Sequence, residues 1–109
     1  MSEKREFYIA GVKFHQYKTV LNDVSEGNTL QLIPETDPKI LKFDPNAVRI
    51  YFDNGDKAAF LGFVPKKFSS EISALLEVGI ELECTLVGFT RDAPTWEIFK
   101  VEISEVEDE

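Results

Sequence analysis

Apolar and polar residues alternate along most of this chain in short runs, and that two-residue period predicts strands rather than helices. Phe7 to Phe14 reads as a strand rich in aromatic and branched residues, with Gly11 in its middle marking a bulge or a close backbone approach. Tyr17, Val20, Leu21 and Val24 recur at helical spacing and predict a short helix within 16–24. Ser25-Glu26-Gly27-Asn28 reads as a turn into a strand from Thr29 to Ile33. Pro34 to Pro45, with three prolines, reads as a loop in which Lys39 and Lys42 flank Ile40 and Leu41. Val48 to Phe52 and Lys57 to Val64 are predicted strands joined through Asn54-Gly55, a hairpin signal that calls for positive φ at both turn residues. Phe68, Ile72, Leu75 and Leu76 form one helical stripe, with Ser69 or Ser70 available as a cap and Gly79 at the stop. Ile80 to Phe89 and Trp96 to Val106 are the last two predicted strands, turned by Thr90 to Pro94.

The fold this predicts is mainly β, a β-rich α+β domain. About six strands close, fully or partly, into a small OB-like or SH3-like barrel, with one α-helix between the fourth and fifth strands. At 109 residues the chain is read as a single domain, 1–109, with its core in about 7–103 and an acidic C-terminal tail in 104–109. No apolar run approaches the ~20 residues of a bilayer crossing, and no apolar signal segment follows Met1, so the expected location is cytoplasmic.

Side-chain inventory narrows the chemistry. Cys84 is the single cysteine and His15 the single histidine, too few for a closed zinc site or a Cys-His pair. Cys84 lies in the alternation Ile80, Leu82, Cys84, Leu86 and reads as a small buried hydrophobe. No catalytic group, metal or cofactor is expected, and there is no Gly-rich phosphate loop. A formal net charge of -8 argues at first against nucleic acid. Five acids fall in 102–109, however, and the remaining residues carry 15 acids against 12 bases, a net of -3.

Lys66 and Lys67 follow Pro65 at a predicted helix start, where the dipole disfavours cations and free N–H groups favour an anion. Two readings stand side by side there: a phosphate site, or two lysines pointing into water. Phe14, Phe43 and Phe63 each neighbour a charged or polar residue (Lys13 and His15, Lys42 and Asp44, Lys66). Such rings stack bases for roughly 1–3 kcal/mol each, although core packing is the commoner fate of a phenylalanine. Asp44 suits recognition of a hydroxyl, which a carboxylate accepts from, or else the local turn Asp44-Pro45-Asn46.

Phe43-Asp44-Pro45-Asn46-Ala47-Val48, Leu61-Gly62-Phe63-Val64-Pro65-Lys66 and Ile9-Ala10-Gly11-Val12-Lys13-Phe14 together resemble, in order and spacing, the HIRAN domain. That domain occurs at the N-terminus of certain helicases and as free-standing bacterial and phage proteins, and this chain resembles the free-standing kind over Phe7 to Ile103. The resemblance implies a modified OB barrel that binds single-stranded DNA and captures its 3′ end. On that basis the DNA-binding residues are Lys13, Phe14, His15, Phe43, Asp44, Phe63 and Lys66, while Asn46, Asn54 and Gly55 are turn residues on their local sequence alone. Lys13 and Lys66 would contact phosphates, Phe14 and Phe43 would stack bases, and Asp44 would accept from the 3′-hydroxyl. Phenylalanine and histidine stand at 14, 15 and 43 where DNA-end-binding relatives show tyrosines, and the 37–43 loop is about three residues longer. The implied partners are single-stranded DNA or DNA 3′ ends, with a helicase or repair protein as companion and no membrane. A protein-interaction barrel using the aromatic ridge and the acidic tail is the alternative, and a small hydrolase or metal protein a distant third.

Overall fold

A computed structural model describes residues 4–106. Six strands form one antiparallel sheet: β1 (Lys4–Tyr8), β2 (Thr29–Pro34), β3 (Val48–Asp53), β4 (Ala58–Phe63), β5 (Leu82–Phe89) and β6 (Phe99–Glu105), in the order β1-β6-β5-β2-β3-β4. A four-residue helix, α1 (Pro38–Leu41), precedes β3, and α2 (Lys66–Glu77) lies between the fourth and fifth strands, as the pattern predicts.

The two ends of that order meet. Beyond β1 the chain donates from Ile9 N–H to Phe99 O at 2.9 Å, still beside β6. One residue later, Ala10 and Phe63 exchange both backbone hydrogen bonds at 2.9 Å, which joins this segment to β4. The sheet thereby becomes a barrel, which leaves few free strand edges. The seam is tight: a Cβ on Gly62 would stand 2.3 Å from Ala10 O and 2.7 Å from Ile9 Cγ2, so only glycine fits.

Alternation along the strands fills the interior. Val48, Ile50 and Phe52 of β3 and Phe99, Val101 and Ile103 of β6 are buried, together with Leu30, Leu61, Cys84 and Leu86. The α2 helix closes one side with buried Ile72, and its Phe68 stacks on Phe7 at 5.2 Å. A left-handed Gly79 (φ 85) ends α2, with Ile80 N–H bonded to Leu75 O at 3.0 Å and Gly79 N–H to Leu76 O at 3.1 Å.

Several boundaries depart from the pattern. The first strand stops at Tyr8, because Gly11 turns left-handed (φ 72) and Val12–Phe14 form a 3-10 turn. The predicted 16–24 helix is a 3-10 turn over Tyr17–Val20, although Val20 and Val24 do face the core. The Pro34–Pro45 loop contains α1, whose N-cap Asp37 accepts from Lys39 N–H at 2.9 Å with Pro38 in the first turn. Helix α2 begins at Lys66 with Pro65 as its N-cap, so Ser69 and Ser70 lie inside it rather than capping it. The β3–β4 connection is the four residues 54–57, and of its residues only Gly55 has positive φ. Asn54 instead accepts from the Asp56 and Lys57 N–H groups through Oδ1 at 2.9 and 2.8 Å, an Asx turn. Trp96 belongs to a 3-10 turn, Thr95–Glu97, and β6 starts at Phe99. Glu102 and Glu105 of the acidic segment are strand residues, while Glu107, Asp108 and Glu109 lie outside the described residues.

One free stretch of edge is covered by a side chain. Gln16 N–H donates to Phe60 O at 3.0 Å, and its Oε1 accepts from Phe60 N–H at 2.9 Å, which mimics a strand partner for β4. The seam makes a direct prediction: Gly62→Ala should lower unfolding stability by about 1–3 kcal/mol through overpacking. Urea denaturation followed by circular dichroism measures this, and a midpoint equal to the parent's would contradict the tight contact.

Candidate nucleic-acid interface

Three segments separated in sequence converge on one end of the β3–β4 hairpin. Phe43 and Asp44 lead into β3 through a turn closed by Ala47 N–H to Asp44 O at 3.1 Å. Phe63 faces Arg49 across the ladder, and Val64 N–H bonds Val48 O at 3.0 Å just before α2 leaves at Lys66. The seam brings Ala10, and with it the turn carrying Lys13, Phe14 and His15, to Phe63.

Within this region Phe14 and Phe43 are 75% and 79% exposed, the highest fractions among the large hydrophobic residues described. Lys13 Nζ stands 5.3 Å from the centre of the Phe14 ring, within cation–π range. Trp96, 67% exposed, shares a cleft of about 180 Å³ with Lys13 and Phe14, lined also by Gly11, Val12 and Thr95. Asp44 accepts from Asn46 N–H through Oδ1 at 2.9 Å, so one of its oxygens holds the local turn. Lys66 is an exposed residue in the first turn of a helix whose N-cap, Pro65, offers no side-chain acceptor. Lys67 is turned back over the Phe68 ring at 5.1 Å.

His15 and Phe63 are placed differently from the two exposed rings. His15 stacks on Phe60 at 4.1 Å and meets Phe63 edge-on at 5.5 Å, while Phe60 and Phe63 meet edge-on at 5.2 Å. They belong to a half-buried cluster outside the barrel that includes Tyr51, stacked on Phe60 at 5.2 Å, and Arg49, 4.6 Å above the same ring. Arg49 donates from Nε to Glu35 Oε2 and from Nη1 to Tyr51 Oη at 3.0 Å. The Glu35 side chain is only 2% exposed, and its Oε1 accepts from the Thr36 and Asp37 N–H groups at 2.9 and 3.0 Å.

A strand bulge explains why the pattern along the chain did not reveal this cluster. The β3–β4 register shifts between Ile50 and Tyr51, which leaves Leu61 and Gly62 both buried and sets Phe60 and Phe63 both on the outer face. In a regular strand, residues three apart point to opposite faces. Arg49 and Tyr51 share a face by simple alternation, a signal that the Arg-x-Tyr spacing did carry. Trp96 is a further residue the strand reading passed over, and an aromatic directly after Pro94-Thr95 is the clue that it lies in a turn.

Electrostatics follow from these contacts. Burial pushes the Glu35 carboxyl up, but the hydrogen bonds from Arg49 and from the Asp37 and Thr36 N–H groups outweigh it and hold the group below its ordinary value. His15 is held below its ordinary 6.5 by burial first and by the Arg49 charge second, against a smaller opposing pull from Glu35. Burial pushes the Cys84 thiol up to about 12, so it is no thiolate nucleophile. Among the described residues no cluster of His, Cys, Asp and Glu could hold a metal, and no helix is long and apolar enough to cross a membrane.

No family model matches the sequence, and no curated protein matches it. Among solved structures, the chain superposes on the crystal structure of the HIRAN domain of human HLTF with a TM-score of 0.63. The match covers 95% of this chain and 78% of that one, at 12% sequence identity. This chain has a HIRAN-like fold. The resemblance carried by the three motifs therefore holds at the level of architecture. Within the HIRAN-like barrel those motifs meet at the seam and at the open end of the β3–β4 hairpin.

The two shifted groups predict the acid limb of stability. The unfolded chain takes up a proton at His15 before the folded one does, so stability falls as pH drops below about 6.5. The contribution of Glu35 is complete above its ordinary 4.5 and is lost as pH falls through its lower folded value. Thermal unfolding between pH 8 and 3 should show His15→Gln flattening the upper part of this decline and Glu35→Gln the lower part. Curves parallel to the parent's would contradict both assignments.

Proposed function

We propose that this chain is a non-enzymatic module that binds single-stranded DNA and captures its 3′-hydroxyl end. The observation that carries the reading is the pair of solvent-exposed rings, Phe14 and Phe43, on segments that converge beside the barrel seam. These two phenylalanine rings are among the most exposed large apolar side chains described, each beside a charged residue, which suits stacking on unpaired bases. Lys13, already over Phe14, and Lys66, at the uncapped start of α2, supply charge for the adjoining phosphates.

Asp44 then gives end specificity. With Oδ1 committed to Asn46 N–H, its other oxygen is the acceptor for a terminal hydroxyl, and the carboxylate repels a terminal phosphate. The Trp96 indole, in the same cleft as Phe14, offers a further face to the strand. His15 and Phe63 support the site from beneath, since their rings are engaged with Phe60.

The test is fluorescence anisotropy at low salt, comparing one short strand ending in 3′-hydroxyl, the same strand ending in 3′-phosphate, and a blunt duplex. Preferential binding of the hydroxyl strand is expected, with Asp44→Ala removing the preference while the fold is kept. Two phosphate contacts predict a slope of log K against log salt of about -1.4, which Lys66→Ala should reduce by about 0.7. Failure to bind all three ligands would sink the reading and favour a protein-interaction barrel.

A further inference from the structure

The Glu35–Arg49 pair lies outside the barrel core, yet its carboxylate is among the most buried charges described. Taking the Glu35 charge out of water is costly, and apolar replacement of both partners of a buried pair is often neutral or stabilising. The contacts of the pair run toward the two halves of the proposed site. On one side Glu35 Oε1 accepts from the Thr36 and Asp37 N–H groups, and the Glu35 N–H donates to Ala47 O at 2.9 Å. One residue thus ties together both ends of the 36–46 segment that carries Phe43 and Asp44.

On the other side, the Arg49 guanidinium lies 4.6 Å over Phe60, and the Phe60 ring stacks with His15, the residue that follows Lys13 and Phe14. Gln16 fastens the same turn to the Phe60 backbone through two hydrogen bonds. We propose that Arg49 is the positioning residue of the ligand face. Through Glu35 it holds the segment bearing Phe43 and Asp44, and through Phe60 and His15 it holds the turn bearing Lys13 and Phe14.

This inference rests on the reading of that face as a binding site. Arginine suits the task because its planar fork bonds Glu35 and Tyr51 at once while its Cζ stands 4.6 Å over the Phe60 ring. A lysine could meet the carboxylate or cover the ring, but it lacks the fork that does both.

Two variants and the parent test it: Arg49→Lys, and Glu35→Met with Arg49→Met, which leaves no buried charge unpaired. Thermal unfolding, strand affinity by anisotropy, and amide hydrogen exchange of segments 12–16 and 36–46 are the readouts. For the double variant, unfolding within a few degrees of the parent is expected. Exchange in both segments should rise about tenfold or more, affinity should fall about tenfold, and the preference for a 3′-hydroxyl should be lost. Retained stability with affinity and exchange unchanged would reduce the pair to a fold element and overturn the proposal. Should the parent bind no strand, the proposed function fails by itself, and exchange still decides the role of Arg49. Should the double variant not fold, Arg49→Lys is read the same way: faster exchange in both segments supports the role, and a change in one segment or in neither overturns it.

Discussion

The exchange of two backbone hydrogen bonds between Ala10 and Phe63 is the contact on which the rest of this structure depends. Without it the six strands form an open sheet with β1 and β4 as its end strands, and the segment bearing Phe14 has no reason to meet those bearing Phe43 and Lys66, which the β3–β4 ladder already brings together. With it the sheet is a barrel and the three segments share one end. The seam has a steric condition, the missing Cβ at Gly62, and a conformational one, the left-handed Gly11 that turns the chain out of the strand direction directly after Ala10. Both conditions concern the backbone. Side chains at the site are therefore free to vary in chemistry around a fixed frame, as function grafted on a fold requires.

Charge is organised on two scales. The chain as a whole is acidic, with a formal net charge of -8, which opposes a polyanionic ligand at long range. Screening confines that opposition to about 8–10 Å at ordinary ionic strength. Near the rings, the local balance rests on Lys13, Lys66 and Asp44, while Arg49 is neutralised by Glu35 and is spent on geometry rather than on net attraction. On the proposed reading, a ligand at this face would be held by close contacts and shape, with a modest salt dependence.

Much of the fold is legible in the sequence, and the reasons are physical. The periods of β3, β6 and α2 are set by burial on one face, so the residues themselves report the face. The seam is half legible: Gly62 lies in one of the three motifs and Gly11 suggests a close approach, but no local signal says that the two motifs touch. The Asn54-Gly55 pair signals a turn but not its type, because Asn54 uses its side chain rather than a left-handed backbone. At the candidate site, the charged neighbours of Phe14 and Phe43 single these rings out in the sequence, whereas nothing local singles out Arg49, Phe60 or Glu35. The bulge that brings Phe60 beside Phe63 depends on register with β3, and the burial of Glu35 depends on a partner fourteen residues away. Both are tertiary facts with no local trace.

Gln16 has a consequence for the kind of partner this barrel can accept. Its backbone and side chain occupy the Phe60 N–H and C=O that β4 would otherwise offer to an incoming strand. An extended peptide that docks by adding itself to a sheet needs that row of groups free. Here the position is already filled from within the chain, beside the aromatic cluster. Strand addition is accordingly closed at this position, both to a peptide and to a second copy of the chain.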